Sequence, residues 1–282
     1  MIQDAQTNFL YLADSLNQKK YLLFLERFEN VLRENSIHYE FLKGTRDIWA
    51  VDYMPVQLQK DKFFQFKYDP DYLKYKKYEN TKSDGNTISE SIDIKSSKSD
   101  IVLDGGNVVR STNKVIMTDK VFTENPNILE KQLILDLKNL FEVDKIVFIP
   151  VEKSDFIGHA DGMVRFINED KVFINRYSVK DRKFDRALKD CLCNAELDWV
   201  EIPYNPCKNE TDLSAKGIYI NYLQMKDLII MPIFGLIEDD EAFAIVKENF
   251  KDHTIISVNC NEIAEEGGVL NCISWNIYKG QD

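Results

Sequence analysis

The chain has 282 residues, 44% of them hydrophobic and 29% charged, which is long enough for one large domain or two small ones with a sizeable core. Its net charge of -11 argues against DNA or RNA as a partner, because phosphate binding needs a concentrated positive surface. No run approaches 18 apolar residues, and the first residues do not join a basic region to an apolar one, so we expect a cytoplasmic protein without a membrane partner.

The cysteines argue against a disulfide framework and against zinc. They are odd in number and lie in the second half of the chain, at Cys191, Cys193, Cys207, Cys260 and Cys272. Cys191 and Cys193 are only two positions apart, no second Cys or His pair has zinc-finger spacing, and there are only three histidines. We therefore expect no metal.

The first hundred residues predict a helix, a strand and a long loop. Apolar residues at spacings of three and four predict an amphipathic helix over about residues 15 to 35. Residues 45 to 57 predict a loop that leads into a strand. Phe64 and Phe66 alternate with polar residues, which indicates a half-buried strand. Residues 79 to 100 are rich in polar residues and predict an exposed, mobile loop, in which residues 88 to 94 could form a short strand.

The rest of the chain alternates between strands and helices, which indicates an α/β fold. A strand is predicted to run from residue 101 into a double glycine. The other predicted strands cover residues 115–117, 145–150, 171–175, 198–202, 218–223, 228–232 and 253–258, with helices over 128–141, 179–196 and 238–249.

An internal similarity suggests a repeated module. Leu103-Asp104-Gly105-Gly106-Asn107-Val108-Val109 is similar to Ala264-Glu265-Glu266-Gly267-Gly268-Val269-Leu270, since each has an acid before two glycines and apolar residues. A cyclically repeated module would bring both loops to one axis.

Cys272 is the candidate nucleophile. It follows the double glycine Gly267-Gly268, where the backbone can turn tightly or approach a ligand, and it precedes an apolar run that predicts a strand. The alternative is a buried cysteine that fills space, which is the commoner role of free cysteines.

His159 and three acids complete the candidate chemistry. A cysteine with a histidine is the minimum for thiolate catalysis, and on a strand His159 and Asp161 would point the same way. One acid would suit a thiol protease or an acyltransferase. Three acids, Asp52, Asp104 and Asp161, suit a planar cation such as guanidinium, whose paired N–H donors carboxylates accept in forked geometry.

Five motifs together resemble the agmatine deiminase family, which includes the bacterial peptidylarginine deiminases. They are Trp49-Ala50-Val51-Asp52-Tyr53-Met54-Pro55, Asp104-Gly105-Gly106-Asn107, Gly158-His159-Ala160-Asp161-Gly162, Tyr219-Ile220-Asn221-Tyr222 and Gly267-Gly268-Val269-Leu270-Asn271-Cys272-Ile273-Ser274. They lie in the family's order and span residues 49 to 275. The resemblance implies a pentein fold, a five-bladed α/β propeller with pseudo-fivefold symmetry, as a single domain over residues 1–282. It also implies guanidine chemistry without a metal or an organic cofactor.

The resemblance also implies roles for residues. Cys272 falls at the nucleophile, His159 at the general acid/base, and Asp52 and Asp161 at the acids that bind guanidinium. These four are the predicted catalytic set.

Four further residues are assigned to substrate binding. Asp104 begins the first Gly-Gly loop, Gly268 belongs to the second, Asn221 lies in a motif whose Asn often lines the site, and Trp49 would form a pocket wall.

Three positions depart from the family pattern. Val51 stands where Arg is common, Met54 where Gly is common, and Asn271 where His commonly precedes the nucleophile. The chain is also shorter than the usual agmatine deiminase. The catalytic set is unaffected by these departures, which concern how the far end of the substrate is recognised.

The sequence thus predicts a hydrolase that converts a guanidino group to a ureido group, with release of ammonia, through a covalent cysteine thiouronium intermediate. Agmatine, giving N-carbamoylputrescine, is the first substrate to consider. The alternatives are deimination of arginine in peptides, amidino transfer by the same site, and a non-catalytic guanidine-binding protein. The expected partner is a small cationic guanidino compound. The oligomeric state stays open, with a homodimer as one arrangement.

Overall fold

The computed structural model describes residues 1–78, 80–152, 155–178, 181–205 and 213–280. Within these ranges the strands form five sheets of three strands each. The strands are β1 (Phe9–Ala13), β2 (Tyr39–Leu42), β3 (Val56–Gln59), β4 (Lys62–Lys67), β5 (Ser96–Val102), β6 (Val109–Arg110), β7 (Lys114–Thr118), β8 (Lys145–Ile149), β9 (Val164–Asn168), β10 (Lys171–Asn175), β11 (Asp198–Ile202), β12 (Leu223–Met225), β13 (Leu228–Ile233), β14 (Thr254–Asn259) and β15 (Ser274–Ile277). The α-helices are α1 (Leu22–Glu34), α2 (Ala50–Tyr53), α3 (Gly85–Ser91), α4 (Lys120–Glu124), α5 (Glu130–Phe141), α6 (Arg182–Asn194), α7 (Asp239–Asn249) and α8 (Asn261–Ala264).

All five sheets are built in the same way. In the sheet β3–β4–β5, β3 is antiparallel to β4, and β4 is parallel to β5. The sheets β6–β7–β8, β9–β10–β11 and β12–β13–β14 repeat this pattern. Parallel neighbours need a crossover connection, which a helix usually supplies. Here α3, α5, α6 and α7 lie between the second and third strands of these four sheets.

The fifth sheet joins the two ends of the chain. β15 pairs antiparallel with β1, with Leu12 opposite Ser274, and β1 pairs in parallel with β2 after the crossover α1. Five copies of one module are therefore closed into a ring by the pairing of β15 with β1. The predicted five-bladed α/β arrangement is confirmed.

The helix α1 illustrates how the modules are packed. Phe24, Phe28 and Leu32 lie one turn apart on one face and are fully buried, and the first two rings stack 5.5 Å apart. The predicted amphipathic helix is confirmed, but it begins at Leu22 because two 3-10 turns, Asp14–Asn17 and Lys19–Tyr21, precede it.

The predicted loop over residues 79–100 contains a helix and a strand instead. The Asp84 side chain accepts hydrogen bonds from the backbone N–H groups of Asn86 and Thr87, which caps α3 and starts a helix within the polar stretch. The short strand expected over residues 88–94 is therefore wrong. A Cβ at Gly85 would lie 1.7 Å from the carbonyl oxygen of Tyr53, so only glycine allows the helix to sit there. Residue 79 lies outside the described residues.

The predicted strand over residues 218–223 is also wrong, since β12 begins only at Leu223. Tyr219, Ile220 and Tyr222 are fully buried in an irregular segment, and a run of buried apolar residues cannot be told from a strand by its pattern. The strands predicted at 115–117, 145–150, 171–175, 198–202, 228–232 and 253–258 are confirmed, as are the helices in 128–141, 179–196 and 238–249 with shifted ends. Of the last set, residues 179 and 180 lie outside the described ranges.

No helix in the described ranges combines the length and the apolar character that a membrane crossing requires.

Candidate active site

A tight segment precedes the first strand of every blade. These segments are α2 before β3, the 3-10 turns Gly105–Asn107 before β6 and Ala160–Gly162 before β9, residues 219–222 before β12, and the turn at residues 270–273 before β15. Because the module repeats around a ring, the five segments occupy equivalent positions and meet at its centre. Each contains or adjoins predicted site residues: Asp52, Asp104, His159 with Asp161, Asn221 and Cys272, in chain order.

His159 lies between two carboxylates from other blades. Its Nε2 atom is 2.8 Å from Oδ2 of Asp104, and its Nδ1 atom is 3.4 Å from Oδ1 of Asp52. All three residues are buried. His159 precedes the 3-10 turn Ala160–Gly162, so the expectation that His159 and Asp161 share one face of a strand is wrong. The turn directs His159 toward Asp104 and Asp161 toward the segment of the nucleophile.

The Cys272 thiol lies beside Asn221 and Asp161. Its sulfur lies 3.3 Å from Oδ1 of Asn221 and 3.6 Å from Oδ2 of Asp161. The same Oδ1 of Asn221 accepts the backbone N–H groups of Asn271 and Cys272, at 3.1 and 3.3 Å. Asn221 also donates through Nδ2 to Oδ2 of Asp161, at 2.9 Å. This amide therefore fixes the nucleophile's backbone and the acid beside it at once.

Two glycines allow the backbone to approach these side chains closely. A Cβ at Gly106 would lie 2.7 Å from both Oδ1 of Asp52 and Nδ1 of His159. Because Gly106 has no side chain, its backbone N–H can approach Asp52 and donate to Oδ1 at 2.9 Å. A Cβ at Gly268 would lie 2.5 Å from Cζ3 of Trp49 and 3.0 Å from the sulfur of Cys272. The second glycine of each double-glycine motif is thus required by contacts made at the site.

These residues surround a small cavity of about 70 Å³. One water molecule needs about 10–15 Å³ by the same measure, so a planar group of several atoms has room there. Seven of the eight predicted site residues line it, namely Trp49, Asp52, His159, Asp161, Asn221, Gly268 and Cys272. Cys272 is partly accessible to solvent, as a working nucleophile requires.

Asp104, the eighth predicted residue, does not line the cavity. It is 1% exposed and contacts the imidazole of His159 from behind. Sequence reasoning also missed residues that do line the cavity, among them Tyr72, Asp155 and Ile157. Tyr72 lies 6.1 Å from the His159 ring, edge to face. The strand pattern of Phe64 and Phe66 gives no signal that Tyr72, a few residues further along the chain, lies at the site.

The acids and the histidine have shifted pKa values. Burial raises the pKa of Asp52 to about 7, and the nearby Asp104 and Asp161 add to the shift while His159 opposes it. Burial also raises the pKa of Asp161, against the effect of His159 and of hydrogen bonds from Asn271 and Asn221.

The pKa of His159 is shifted upward, which favours the charged imidazolium. Burial lowers its pKa, but the Asp52 and Asp104 carboxylates outweigh burial and raise the pKa to about 9. Burial raises the pKa of Cys272 well above its usual value, and Asp161 and Asp52 raise it further. At neutral pH the empty site therefore contains an imidazolium and an uncharged thiol.

This arrangement favours a planar cation as ligand. Carboxylate oxygens of Asp52 and Asp161 face a cavity that also holds a thiol and a protonated imidazole, and a bound cation would stabilise both carboxylates and a thiolate. Among the residues that the structure describes, no group of three or more His, Cys, Asp or Glu side chains is placed to hold a metal ion.

Comparisons with known proteins agree with this geometry. The family model for the Porphyromonas-type peptidyl-arginine deiminases matches residues 1–277. Agmatine deiminase of Pseudomonas aeruginosa is 23% identical over an alignment of 208 positions, and the match covers 62% of this chain and 56% of that protein. The match thus spans little more than half of the curated relative's length.

Among solved structures, agmatine deiminase of C. jejuni has a TM-score of 0.83 and 19% identity, covering 100% of this chain and 96% of that one. A cysteine-to-serine variant of that enzyme with substrate bound has the same TM-score at 18% identity, with the same coverage. Likeness at this level of identity shows the fold, and the predicted pentein fold is confirmed. Because the family model covers nearly the whole chain, the protein belongs to the Porphyromonas-type peptidyl-arginine deiminase family.

Proposed function

We propose that this chain is a hydrolytic deiminase, which converts a guanidino group to a ureido group and releases ammonia. The observation that carries the proposal is the joint position of Cys272, His159, Asp52 and Asp161 around one small cavity. Membership of the peptidyl-arginine deiminase family supports the same reaction class.

The two cavity-lining acids bind the guanidinium. Oδ1 of Asp52 is held by the Gly106 N–H, and Oδ2 of Asp161 is held by Asn221, so that one oxygen of each carboxylate stays available for substrate N–H groups. Two carboxylates from different blades can grip the planar cation at different nitrogens, which fixes its plane relative to the sulfur.

The substrate's own charge activates the nucleophile. Because the Cys272 thiol is uncharged in the empty site, a cation that binds against it must lower its pKa and favour the thiolate. The thiol proton leaves to solvent, to which Cys272 is partly open, so that Asp161 stays ionised and keeps its hold on the guanidinium. Nucleophile formation is thereby coupled to binding of the correct cation.

His159 then moves protons in both halves of the reaction. The thiolate adds to the guanidinium carbon, the C–N bond breaks, and imidazolium His159 protonates the departing nitrogen, giving ammonia and a thiouronium intermediate on Cys272. Neutral His159 next takes a proton from water as its oxygen bonds to the same carbon. The C–S bond breaks and its electron pair returns to sulfur. The new hydroxyl gives its proton to that sulfur, which restores the Cys272 thiol, and the neutral ureido product leaves.

Asp104 supports this role from behind the imidazole. Because Asp104 contacts Nε2, the other ring nitrogen, Nδ1, faces Asp52 and the bound guanidinium. The two carboxylates together keep the imidazole charged before turnover. We therefore propose that Asp104 holds His159, in place of the direct substrate contact that the motif suggested.

Agmatine is the proposed substrate. A solved relative of the same fold is a deiminase of agmatine with substrate bound. Trp49, Tyr72 and Ile157 line both the small cavity and an adjoining one of about 230 Å³, which gives the rest of a substrate a path out of the guanidinium site. We further propose that the ring closed by β15 and β1 acts as one catalytic domain, without a cofactor.

The test is release of ammonia and ureido product from agmatine, free arginine and arginyl peptides, with Cys272→Ala as control. Product from agmatine alone supports the proposal, and product from peptides would move the function to protein deimination. An amidine transferred to an added amine would identify a transferase. Binding of guanidines without product from any of them would identify a binding protein.

A further inference from the structure

A buried series of polar side chains lies behind Asp161 and ends at the N-terminal segment. Nδ2 of Asn271 donates to Oδ2 of Asp161 at 2.7 Å, and Oδ1 of Asn271 accepts from the guanidinium of Arg165 at 2.6 Å. The other end of that guanidinium donates to Oδ2 of Asp4, also at 2.6 Å. Arg165 and Asn271 are 4% and 7% exposed, so solvent contributes little to these contacts.

The partners of Asn271 allow its amide only one orientation. The Arg165 guanidinium has only donors, so it must meet the amide oxygen, and an ionised Asp161 has only acceptors, so it must meet the amide nitrogen. The Arg165 cation therefore polarises the Asn271 amide, which makes the amide N–H a stronger donor to Asp161. A hydrogen bond from an amide polarised in this way favours the charged form of Asp161.

The donors to Asp161 converge on a single oxygen. Asn271, Asn221 and the Cys272 thiol all approach Oδ2, at 2.7, 2.9 and 3.6 Å. Within the described residues Oδ1 accepts no side-chain hydrogen bond, and it points toward Gly106, whose Cβ would lie 3.4 Å away. The carboxylate is thus anchored by one oxygen and presents the other.

Arg165 is itself held rigidly. Its guanidinium carbon lies 5.1 Å from the centre of the Tyr222 ring, and Asp4 neutralises its outer end. Arg110 also pairs with Asp4, at 2.8 Å, but in the described part of the chain it makes no hydrogen bond with Asn271. Asp161, Asn271, Arg165, Arg110 and Asp4 all line a second cavity of about 400 Å³, separate from the one that contains Cys272.

We propose that Arg165 and Asn271 are positioning residues, which act through Asp161 to hold its carboxylate ionised and aimed at the substrate guanidinium. The expected effect on guanidinium binding rests on the proposed function. The proposed positioning gives a role to Asn271, which stands where the family that the sequence resembles commonly has histidine. It also gives a role to Arg165, which contacts neither Cys272 nor the cavity that Cys272 lines.

Within the described ranges, four charged or titratable groups face Asp161. His159 lies on the same turn, Asp52 comes from α2, Arg165 from β9, and Cys272 from the segment before β15. His159 and Arg165 favour the ionised form of Asp161, whereas Asp52 and the Cys272 thiolate oppose it. Loss of Arg165 or of the Asn271 amide therefore leaves Asp161 harder to ionise.

The experiment compares matched variants in a Cys272→Ala background, which cannot turn over substrate. Asn271→Leu removes the amide at similar size, Arg165→Met removes the cation, and Arg165→Lys restores the charge. Arg110→Met is the control, because it removes an equivalent cation from Asp4 without contact to Asn271. Agmatine affinity is measured against pH by calorimetry. The Asp161 carboxyl is titrated without ligand by ¹³C NMR, assigned with Asp161→Asn, and thermal unfolding verifies folding.

We expect Asn271→Leu and Arg165→Met to weaken agmatine binding about 10- to 100-fold, since each removes a hydrogen-bond chain to a charged group. The Asp161 titration should move to higher pH in both, with partial recovery in Arg165→Lys and no upward movement in Arg110→Met. Equal affinity and equal titration in Arg165→Met and Arg110→Met would overturn the inference. If the Cys272→Ala parent binds no agmatine, the proposed function fails, and the ligand-free titration still decides the role of Arg165 and Asn271.

Discussion

Oδ2 of Asp104 lies 2.8 Å from Nε2 of His159, although the two residues belong to different blades and Asp104 is sealed from the substrate cavity. The other carboxylate oxygen, Oδ1, is buried and has no hydrogen-bond partner among the residues that the structure describes, so the carboxylate's main interaction is with the imidazole. A buried carboxylate in this position favours the imidazolium form. Asp104 therefore acts together with Asp52 to keep the proposed proton donor charged.

Replacement of Asp104 by Asn should lower the pKa of His159 from about 9, since one of the two carboxylates that raise it is neutralised. We expect kcat to fall about 10- to 100-fold, and the alkaline limb of the rate profile to move to lower pH. Steady-state rates between about pH 6 and pH 10 test this. Asp104→Glu restores the charge, so its alkaline limb should lie between those of Asp104→Asn and the wild type. If the alkaline limb of Asp104→Asn does not move, Asp104 does not set the pKa of His159.

Cys272→Ala should abolish turnover and leave binding in place. The thiol is the only group at the cavity that we assign as nucleophile, so kcat should drop at least about 1,000-fold. Agmatine should still bind, because Asp52 and Asp161 remain. Product formation by single-turnover assay and binding by calorimetry separate the two effects. Measurable turnover in this variant would show that another group attacks the carbon.

The pH profile of kcat/KM should be bell-shaped. Asp52 must lose its proton to bind guanidinium, and its pKa in the empty site is about 7. His159 must keep its proton for the leaving ammonia, and its pKa is about 9. Because kcat/KM reports the free enzyme, the limbs are expected near these two values. In Asp52→Asn the acidic limb should shift or vanish, with a much lower plateau, whereas a profile flat across this range would contradict the assignments.

Stability of the substrate-free protein should fall as the pH rises from about 5 to about 9. Folded Asp52 keeps its proton up to about pH 7, while the unfolded group loses it near 3.8, so the folded state is penalised over that interval. His159 contributes stability that is complete below its ordinary value of 6.5 and is lost as the pH rises through about 9. Both effects have the same sign.

Thermal unfolding across this pH range measures the slope. Asp52→Asn should flatten it and raise the Tm near pH 8, because an amide has no charge to bury. A wild-type Tm that rises between about pH 5 and pH 8 would be incompatible with the shifts at the site.

Gly268→Ala should impair catalysis through sterics alone. Its Cβ would lie 2.5 Å from the Trp49 ring and 3.0 Å from the Cys272 sulfur, so one of them must move. A misplacement of this size costs about 100-fold in kcat/KM. Gly162→Ala is the comparison, because its Cβ would meet no atom of the described residues within 4 Å although Gly162 lines the same cavity. Equal activity in both variants would show that the contact at Gly268 is unimportant.

The long amphipathic helices and the alternating strands were predictable because their patterns are local. Phe24, Phe28 and Leu32 repeat with the helix period, and Phe64 and Phe66 with the strand period, whatever the rest of the chain does. The segments that were predicted wrongly are those where a tertiary contact decides. Gly85 must pass close to the backbone of Tyr53, and that contact does not appear in the polar composition of its own segment.

Sequence by itself determined the identities of the reactive groups: a thiol, an imidazole and three carboxylates, placed in motifs whose order indicates guanidine chemistry. Tertiary structure alone decided how they divide the work, with Asp52 and Asp161 at the cavity, Asp104 behind His159, and Asn271 joined to Arg165. The physical reason is that these contacts join residues 50 to more than 100 positions apart. They form only when the pairing of β15 with β1 closes the ring and brings five equivalent segments together.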